Sequence, residues 1–321
     1  MKVIWLLLLN IFMLSVMAGA QEINFSRVQD MKVWYNQSLK TDKNNSLKLN
    51  FRNVQYEGVI AYNSISAMAD IPLLSAPQKE KERSGYFSVS LGAASDKSNQ
   101  GILTNTLGLA GISYAVPIGA NETYAAAGFQ AGYYQSRLNV GGLVAFGDQY
   151  DNYGPIEGKP SSDQFASGWS YKHLNMNAGV SVFSNAEYSK WYLGVSMMQI
   201  NRPYTDENKT EAYRLNEALG VQGGYKYITG ENDECSFNMS LNWQGKAYKH
   251  FFNATYFKAV KSIEGGIGAG LGYRYDDALV PGVEVRYVKA IIGLSYDMNI
   301  SGVSAAGLKR NGLELALKLE F

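Results

Sequence analysis

Leu313-Glu314-Leu315-Ala316-Leu317-Lys318-Leu319-Glu320-Phe321 alternates without a break between large apolar residues and small or charged ones. Period two places Leu313, Leu315, Leu317, Leu319 and Phe321 on one face of a strand and Glu314, Ala316, Lys318 and Glu320 on the other. The question is which face meets water. One strand cannot answer it, because a half-buried soluble sheet alternates in the same way.

Working back from the C-terminus, the pattern recurs. Ile292, Leu294, Tyr296, Met298 and Ile300 alternate with Gly293, Ser295, Asp297 and Asn299. Ile267, Ala269, Leu271 and Tyr273 alternate with Gly266, Gly268, Gly270 and Gly272. Similar segments centre on Met239, Val221, Val195, Ala178, Phe129 and Val89. In each, the second face is small or polar and never a second apolar face. The segments run about 9–11 residues, the length of a tilted strand crossing a bilayer. Aromatic residues gather at their ends, as in Tyr86-Phe87, Trp191-Tyr192, Trp243 and Tyr273 to Tyr275, where interfacial girdles belong. The expected fold is all-β: a transmembrane antiparallel outer-membrane β-barrel of about 14 strands (range 12–14), at roughly 20 residues per strand and turn. Residues 313–321, closing on the aromatic Phe321, then read as the insertion signal recognised by the barrel-assembly machinery. Glu314, Lys318 and Glu320 should face a wet lumen, since charge facing lipid costs ~2–4 kcal/mol at mid-bilayer.

The N-terminus agrees with export. Lys2 precedes an apolar run from Val3 to Val16, and Ala18-Gly19-Ala20 offers a cleavage site between Ala20 and Gln21. The expected organisation is a cleaved Sec signal peptide over 1–20, a periplasmic segment without fixed structure over 21–45, and the barrel over 46–321. After Gln21 no apolar run is long enough for a transmembrane helix. The 29 Lys and Arg balance 28 Asp and Glu, which excludes nucleic acid as the main partner. One Cys excludes an internal disulfide framework. Turns are expected at 78–83, 276–282 and 301–311, a long loop at 147–170 and a second polar loop at 203–217.

Residues with chemical potential are few. His173 lies on a polar strand face near Asn175 and Asn177, but no Gly-x-Ser-x-Gly elbow accompanies it. His250 sits in an interfacial setting, and Cys235 is a lone thiol. The glycines at 266, 268, 270 and 272 recur every second residue, unlike a dinucleotide-binding loop. They read as a smooth inner face for a plug, a bend or close packing. Asp148, Asp151 and Asn152 lack the rest of a calcium loop and read as turn formers. No catalytic, metal or cofactor constellation emerges.

The order of several short motifs resembles the PorP/SprF family of outer-membrane proteins from the type IX secretion system of Bacteroidota. The strongest is Ile291-Ile292-Gly293-Leu294-Ser295-Tyr296-Asp297-Met298-Asn299-Ile300-Ser301, followed by Asn311-Gly312 and the closing strand. Phe146-Gly147-Asp148-Gln149, Tyr192 to Ser196 with Pro203 following, and Gly272-Tyr273-Arg274 fit as well. The family's Asn-Pro-Ala-type segment near the first strand is missing: Trp34 to Leu39 carries no Pro. The resemblance implies a non-enzymatic barrel that supports secretion or surface anchoring of a large secreted protein or adhesin, in some members one used in gliding. It implies as partners the periplasmic ring lipoprotein with its partner subunit, or the secreted protein itself. The competing readings are a porin or small-solute transporter, which needs an open pore, and a lipid hydrolase built on His173.

Overall fold

A computed structural model describes residues 25–56, 61–74, 84–98, 101–119, 122–140, 146–156, 158–163, 166–206, 209–301 and 310–321. Among these, fourteen strands close into one antiparallel barrel. They are β1 (Ser46–Tyr56), β2 (Ala61–Leu73), β3 (Tyr86–Ser98), β4 (Leu103–Pro117) and β5 (Thr123–Leu138). After a loop hairpin of β6 (Tyr150–Asp151) and β7 (Gly154–Pro155) come β8 (Trp169–Asn185), β9 (Ser189–Met198) and β10 (Ala218–Ile228). The wall continues with β11 (Glu234–Gln244), β12 (Ala247–Val260), β13 (Gly265–Arg274), β14 (Ala278–Tyr287), β15 (Ala290–Asn299) and β16 (Arg310–Glu320).

Each wall strand pairs with its neighbours in chain order, and β16 pairs with β1 from Ser46↔Glu320 to Tyr56↔Arg310. Closure leaves no unpaired edge, the condition for sheet in a bilayer. β1 begins and β16 ends at the same rim, called here the near end. The opposite far end carries the long connections over 139–168 and 199–217, while several near-end turns span only a few residues.

The wall is inverted relative to a soluble protein. Its outer face exposes Leu91, Ile112, Val180, Ile267, Val283, Leu294 and Leu315. That continuous apolar belt has lipid as its solvent. Phe87, Tyr114, Trp191, Tyr227 and Tyr287 ring its near edge, and Tyr133, Trp243, Tyr248, Tyr273 and Tyr275 its far edge. The closing strand follows its alternation: Leu313 and Leu315 face outward with Leu317 and Leu319 in register behind them. The Phe321 N–H donates to the Asn45 carbonyl at 3.1 Å beyond the strand.

Six wall strands exceed the expected 9–11 residues; β2 and β3 run 13 and β12 runs 14. β4, β5 and β8 run 15, 16 and 17 residues and rise beyond the bilayer, so the wall is tallest where they adjoin. The turn expected over 276–282 ends at Asp277, and Pro281 and Gly282 lie inside β14. Pro281 has no N–H to give, and the ladder to β15 skips from Leu279↔Met298 to Gly282↔Ser295. The charge run at 78–83 and the cleavage pair Ala20 and Gln21 lie outside the described residues.

Candidate functional site in the barrel lumen

Inward side chains decide what the lumen holds. Many are small: Ser66, Ser88, Ser90, Gly111, Ser113, Gly128, Gly179, Ser181, Gly194 and Ser196 all point inward. Fourteen strands make a barrel wider than such side chains can fill. The remaining space is taken by the chain's own N-terminal segment. Residues 25–41 of the expected periplasmic lead-in lie inside the barrel instead. From Phe25 onward the segment enters the lumen and is buried almost continuously to Thr41.

The physical reason lies in its composition. Phe25, Val28, Met31, Val33, Trp34, Tyr35 and Leu39 are large apolar residues that would otherwise stand in water. Phe25, Met31, Trp34 and Tyr35 pack on Met68, Ala94 and Leu109, while Val28 packs on Phe251, Ala278 and Val280. Local structure is brief: α1 (Lys32–Tyr35), then a 3-10 turn over Gln37–Leu39. Asn36 starts that turn, its Oδ1 accepting from Ser38 N at 3.1 Å and Ser38 Oγ at 2.7 Å. The same Asn36 donates through Nδ2 to Gln222 Oε1 at 3.0 Å, reaching the wall.

Two chemistries hold the plug. Over Ser26 to Asp30 the contacts are ionic. Glu314, 1 % exposed, accepts from the backbone N–H of Ser26 at 2.6 Å and of Arg27 at 3.3 Å. Ser26 Oγ donates to Asp297 at 2.9 Å, and Asp297 also binds Arg52 and Arg274. Arg27 bridges Asp30 at 2.6 Å and Glu284 at 2.7 Å. Glu284 continues to Arg286, Glu234 and Lys226 around the wall. Glu314 therefore does not face open water, as the sequence alone suggested; it caps the plug backbone in a buried site.

Over Asn36 to Thr41 the contacts with the wall are neutral, and the one ion pair, Lys40 to Asp42 at 2.8 Å, is internal to the N-terminal segment. Ser181 Oγ donates to the Ser38 carbonyl at 2.9 Å, Tyr86 OH to the Lys40 carbonyl at 2.9 Å, and Ser90 Oγ binds Gln37 Oε1. Glycines make the room. A Cβ at Gly128 would lie 2.7 Å from Ser38 N and 2.8 Å from Gln37 C, and one at Gly179 or Gly194 would strike Asn36. The run at 266–272 works differently: Cβ atoms there would meet Phe257, Glu284, Thr255 and Phe251 of the adjoining strands. It allows close packing within the wall and does not seat the plug.

The plug divides the lumen into two spaces that share no lining residue. At the far end a vestibule of about 510 Å³ has Phe25, Val28 and Tyr35 as its floor and Arg52, Tyr56, Tyr248, Arg274, Tyr275 and Arg310 among its walls. At the near end a recess of about 390 Å³ is lined by Lys32, Lys226, Arg286, Lys289 and Lys318 with several carboxylates.

His173 points inward among aromatic rings, 4.9 Å from Tyr134 and 6.1 Å from Tyr171 between centroids, beside Trp34 and Tyr35 of the plug. His250 packs at the far rim against Trp243, Tyr248 and Tyr275. Cys235 is a free, exposed thiol. Asp148 accepts from Ser161 Oγ, Ser162 N and Ser162 Oγ, hydrogen bonds that hold its carboxyl down at about 2. Asp151 accepts from Tyr153 N at 2.8 Å. Both act as loop formers. Among the described residues no cluster of His, Cys, Asp and Glu could hold a metal ion.

Sequence reading missed the plug. The signal was present, since Phe25, Val28, Met31 and Trp34 recur at three-residue intervals inside a segment otherwise read as polar.

A scan against protein families matches residues 38–314 to the family described as type IX secretion system membrane protein PorP/SprF. A search of the curated proteins finds no match. Among solved structures, the chain is similar in fold to a TodX deltaS2S3 mutant monoaromatic hydrocarbon channel, at 8 % identity and TM-score 0.51, covering 89 % of this chain and 92 % of that one. The P. putida toluene transporter TodX gives 8 % identity and TM-score 0.47 over 87 % and 90 % of the two chains. The beta domain of the Bordetella autotransporter BrkA gives 10 % and 0.37 over 87 % and 100 %.

Proposed function

The chain belongs to the PorP/SprF family of type IX secretion system membrane proteins, and from that premise we propose that it is a plugged, non-enzymatic outer-membrane scaffold. It supports secretion or surface anchoring of a secreted protein or adhesin, including one used in gliding. The observation that carries this reading is the plug. A porin or small-solute transporter needs a continuous aqueous path with selectivity groups along it. Here the cross-section between the two spaces is filled by Phe25 to Thr41, fixed on the wall by buried contacts.

An even strand number puts the start of β1 and the end of β16 on one side, which for a bacterial barrel is the periplasm. The near recess then faces the periplasmic ring lipoprotein and its partner subunit. The far vestibule, floored by the plug, faces the cell surface and any anchored adhesin. Leu313, Leu315, Leu317, Leu319 and Phe321 serve as the insertion signal for the barrel-assembly machinery. Phe321→Ala should lower outer-membrane levels of the protein, measured by blotting of membrane fractions; unchanged levels would remove that role. Cleavage between Ala20 and Gln21 should give a mature N-terminus at Gln21 in intact-mass measurement.

The test of the scaffold is crosslinking followed by pull-down from outer membranes in mild detergent. Recovery of the ring subunits or of a large secreted protein is the expected result. Recovery of the barrel alone from membranes with intact machinery would overturn it.

A further inference from the structure

The near recess has a charge pattern that the plug does not use up. Seven cationic side chains line it against five carboxylates. Four of the cations are committed: Arg27 to Asp30 and Glu284, Arg286 to Glu284 and Glu234, Lys226 to Glu234, and Lys318 to Glu320. Lys32, Lys190 and Lys289 form no ion pair among the described residues. They occupy different depths. Lys190 and Lys289 are exposed at the rim, on β9 and in the β14–β15 turn. Lys32 lies inside on the plug, its Nζ donating to Thr41 Oγ1 at 3.0 Å and standing 4.6 Å over the Tyr192 ring. Burial pulls its ammonium down to about 7, against Asp42 and with help from Lys318, Lys48 and Lys226. An inner cation short of counter-charge thus stands behind an outer pair of free lysines.

We propose that this recess is a docking site for an acidic, carboxylate-bearing peptide segment of a partner protein, threaded from the rim toward Lys32. A chain is favoured over a lipid headgroup because the wall is closed. Every strand around the recess is hydrogen-bonded to its neighbours, so a group in the bilayer has no lateral entry. A chain is favoured over a single small anion because the free cations are spread over the plug, β9 and the β14–β15 turn. Tyr192 adds an inward aromatic ring to the same recess, under Lys32. The site deepens the secretion reading by giving the chemistry of a partner at the periplasmic end. Its test uses isolated protein and does not depend on that reading.

The test is fluorescence anisotropy of a labelled oligoglutamate peptide with the full-length protein in neutral detergent micelles. Saturable binding that weakens with added salt is expected, with an affinity loss of about ten-fold or more in a K190E/K289E variant. Both lysines are exposed and outside the plug, so the variant should keep the heat-modifiable mobility of a folded barrel. An oligolysine peptide should not bind. Absence of saturable binding, or equal affinity in the folded variant, would overturn the site. Displacement of the peptide by inorganic phosphate or by anionic lipid in mixed micelles at lower concentration than unlabelled peptide would overturn the peptide assignment. Failure here with a successful pull-down would leave the scaffold standing without this contact, and the reverse would leave the contact without the scaffold.

Discussion

Between Ser26 and Asp30 the plug is held by charge; between Asn36 and Thr41 it is held by amides, hydroxyls and the absence of side chains. The first half meets Glu284, Asp297 and Glu314 on β14, β15 and β16. The second meets β3, β5, β8 and β10 through Ser90, Gly128, Ser181 and Gln222. The ionic half is bound to the last three strands, and Arg52 of β1 joins the same cluster at Asp297 across the β1–β16 seam. The neutral half rests on strands made earlier in the chain and is specified by shape. The two halves should also fail differently. Removing one member of a buried ion pair strands a charge, whereas removing a neutral contact costs a single hydrogen bond or creates a clash.

The largest effect should come from Arg27→Ala. It leaves Asp30 and part of Glu284 uncompensated, and plug seating should weaken by about 3–5 kcal/mol. Amide exchange over 25–31 should rise while the strand amides stay protected. Unchanged exchange there would erase the ionic half of the comparison.

Gly128→Val tests the neutral half by shape. The strand itself accepts a β-branched residue, but the new side chain meets the Ser38 and Gln37 backbone, for about 1–3 kcal/mol of overpacking. Faster exchange at 36–40 with normal barrel assembly is expected; an unaltered plug would show that the glycine is not needed for the close approach. Ser181→Ala removes one neutral hydrogen bond to the Ser38 carbonyl and should cost about 1 kcal/mol in the same measurement. A loss as large as that of Arg27→Ala would dissolve the distinction between the halves.

The last effect, spread over several pH units, is a pH dependence at the junction of the halves, where Lys32 sits. Its ammonium is held near 7 in the folded chain, below the ordinary lysine value, facing Asp42, Lys48, Lys226 and Lys318. The unfolded segment therefore binds more protons between those values, and plug seating should strengthen as pH rises above about 7. Below 7 the full penalty applies. Lys32→Met should flatten this dependence of local exchange, corrected for the intrinsic rate, and an unchanged slope would place its origin elsewhere.

The wall was largely legible in the sequence and its filling was not. Strands such as β3, β8, β13 and β16 set small or polar residues against large apolar ones, so period two stood out. β12 and β14 place Phe251, Phe257 and Val280 inward, which breaks the alternation and hid them. The plug was obscured for a related reason. Its partners are scattered from Ser90 to Glu314 and no local pattern unites them. The small inner faces did show that fourteen strands could not be filled from the wall, but an open channel and a plug satisfy that equally. Only the apolar residues from Phe25 to Leu39 favoured the plug, and their spacing follows neither strand nor long helix.

The plug seals the lumen. Planar-bilayer recording of the intact chain beside a variant lacking residues 25–41 reads this seal. A silent intact protein and persistent openings once the segment is gone are expected. Steady large channels from the intact protein would contradict the seal.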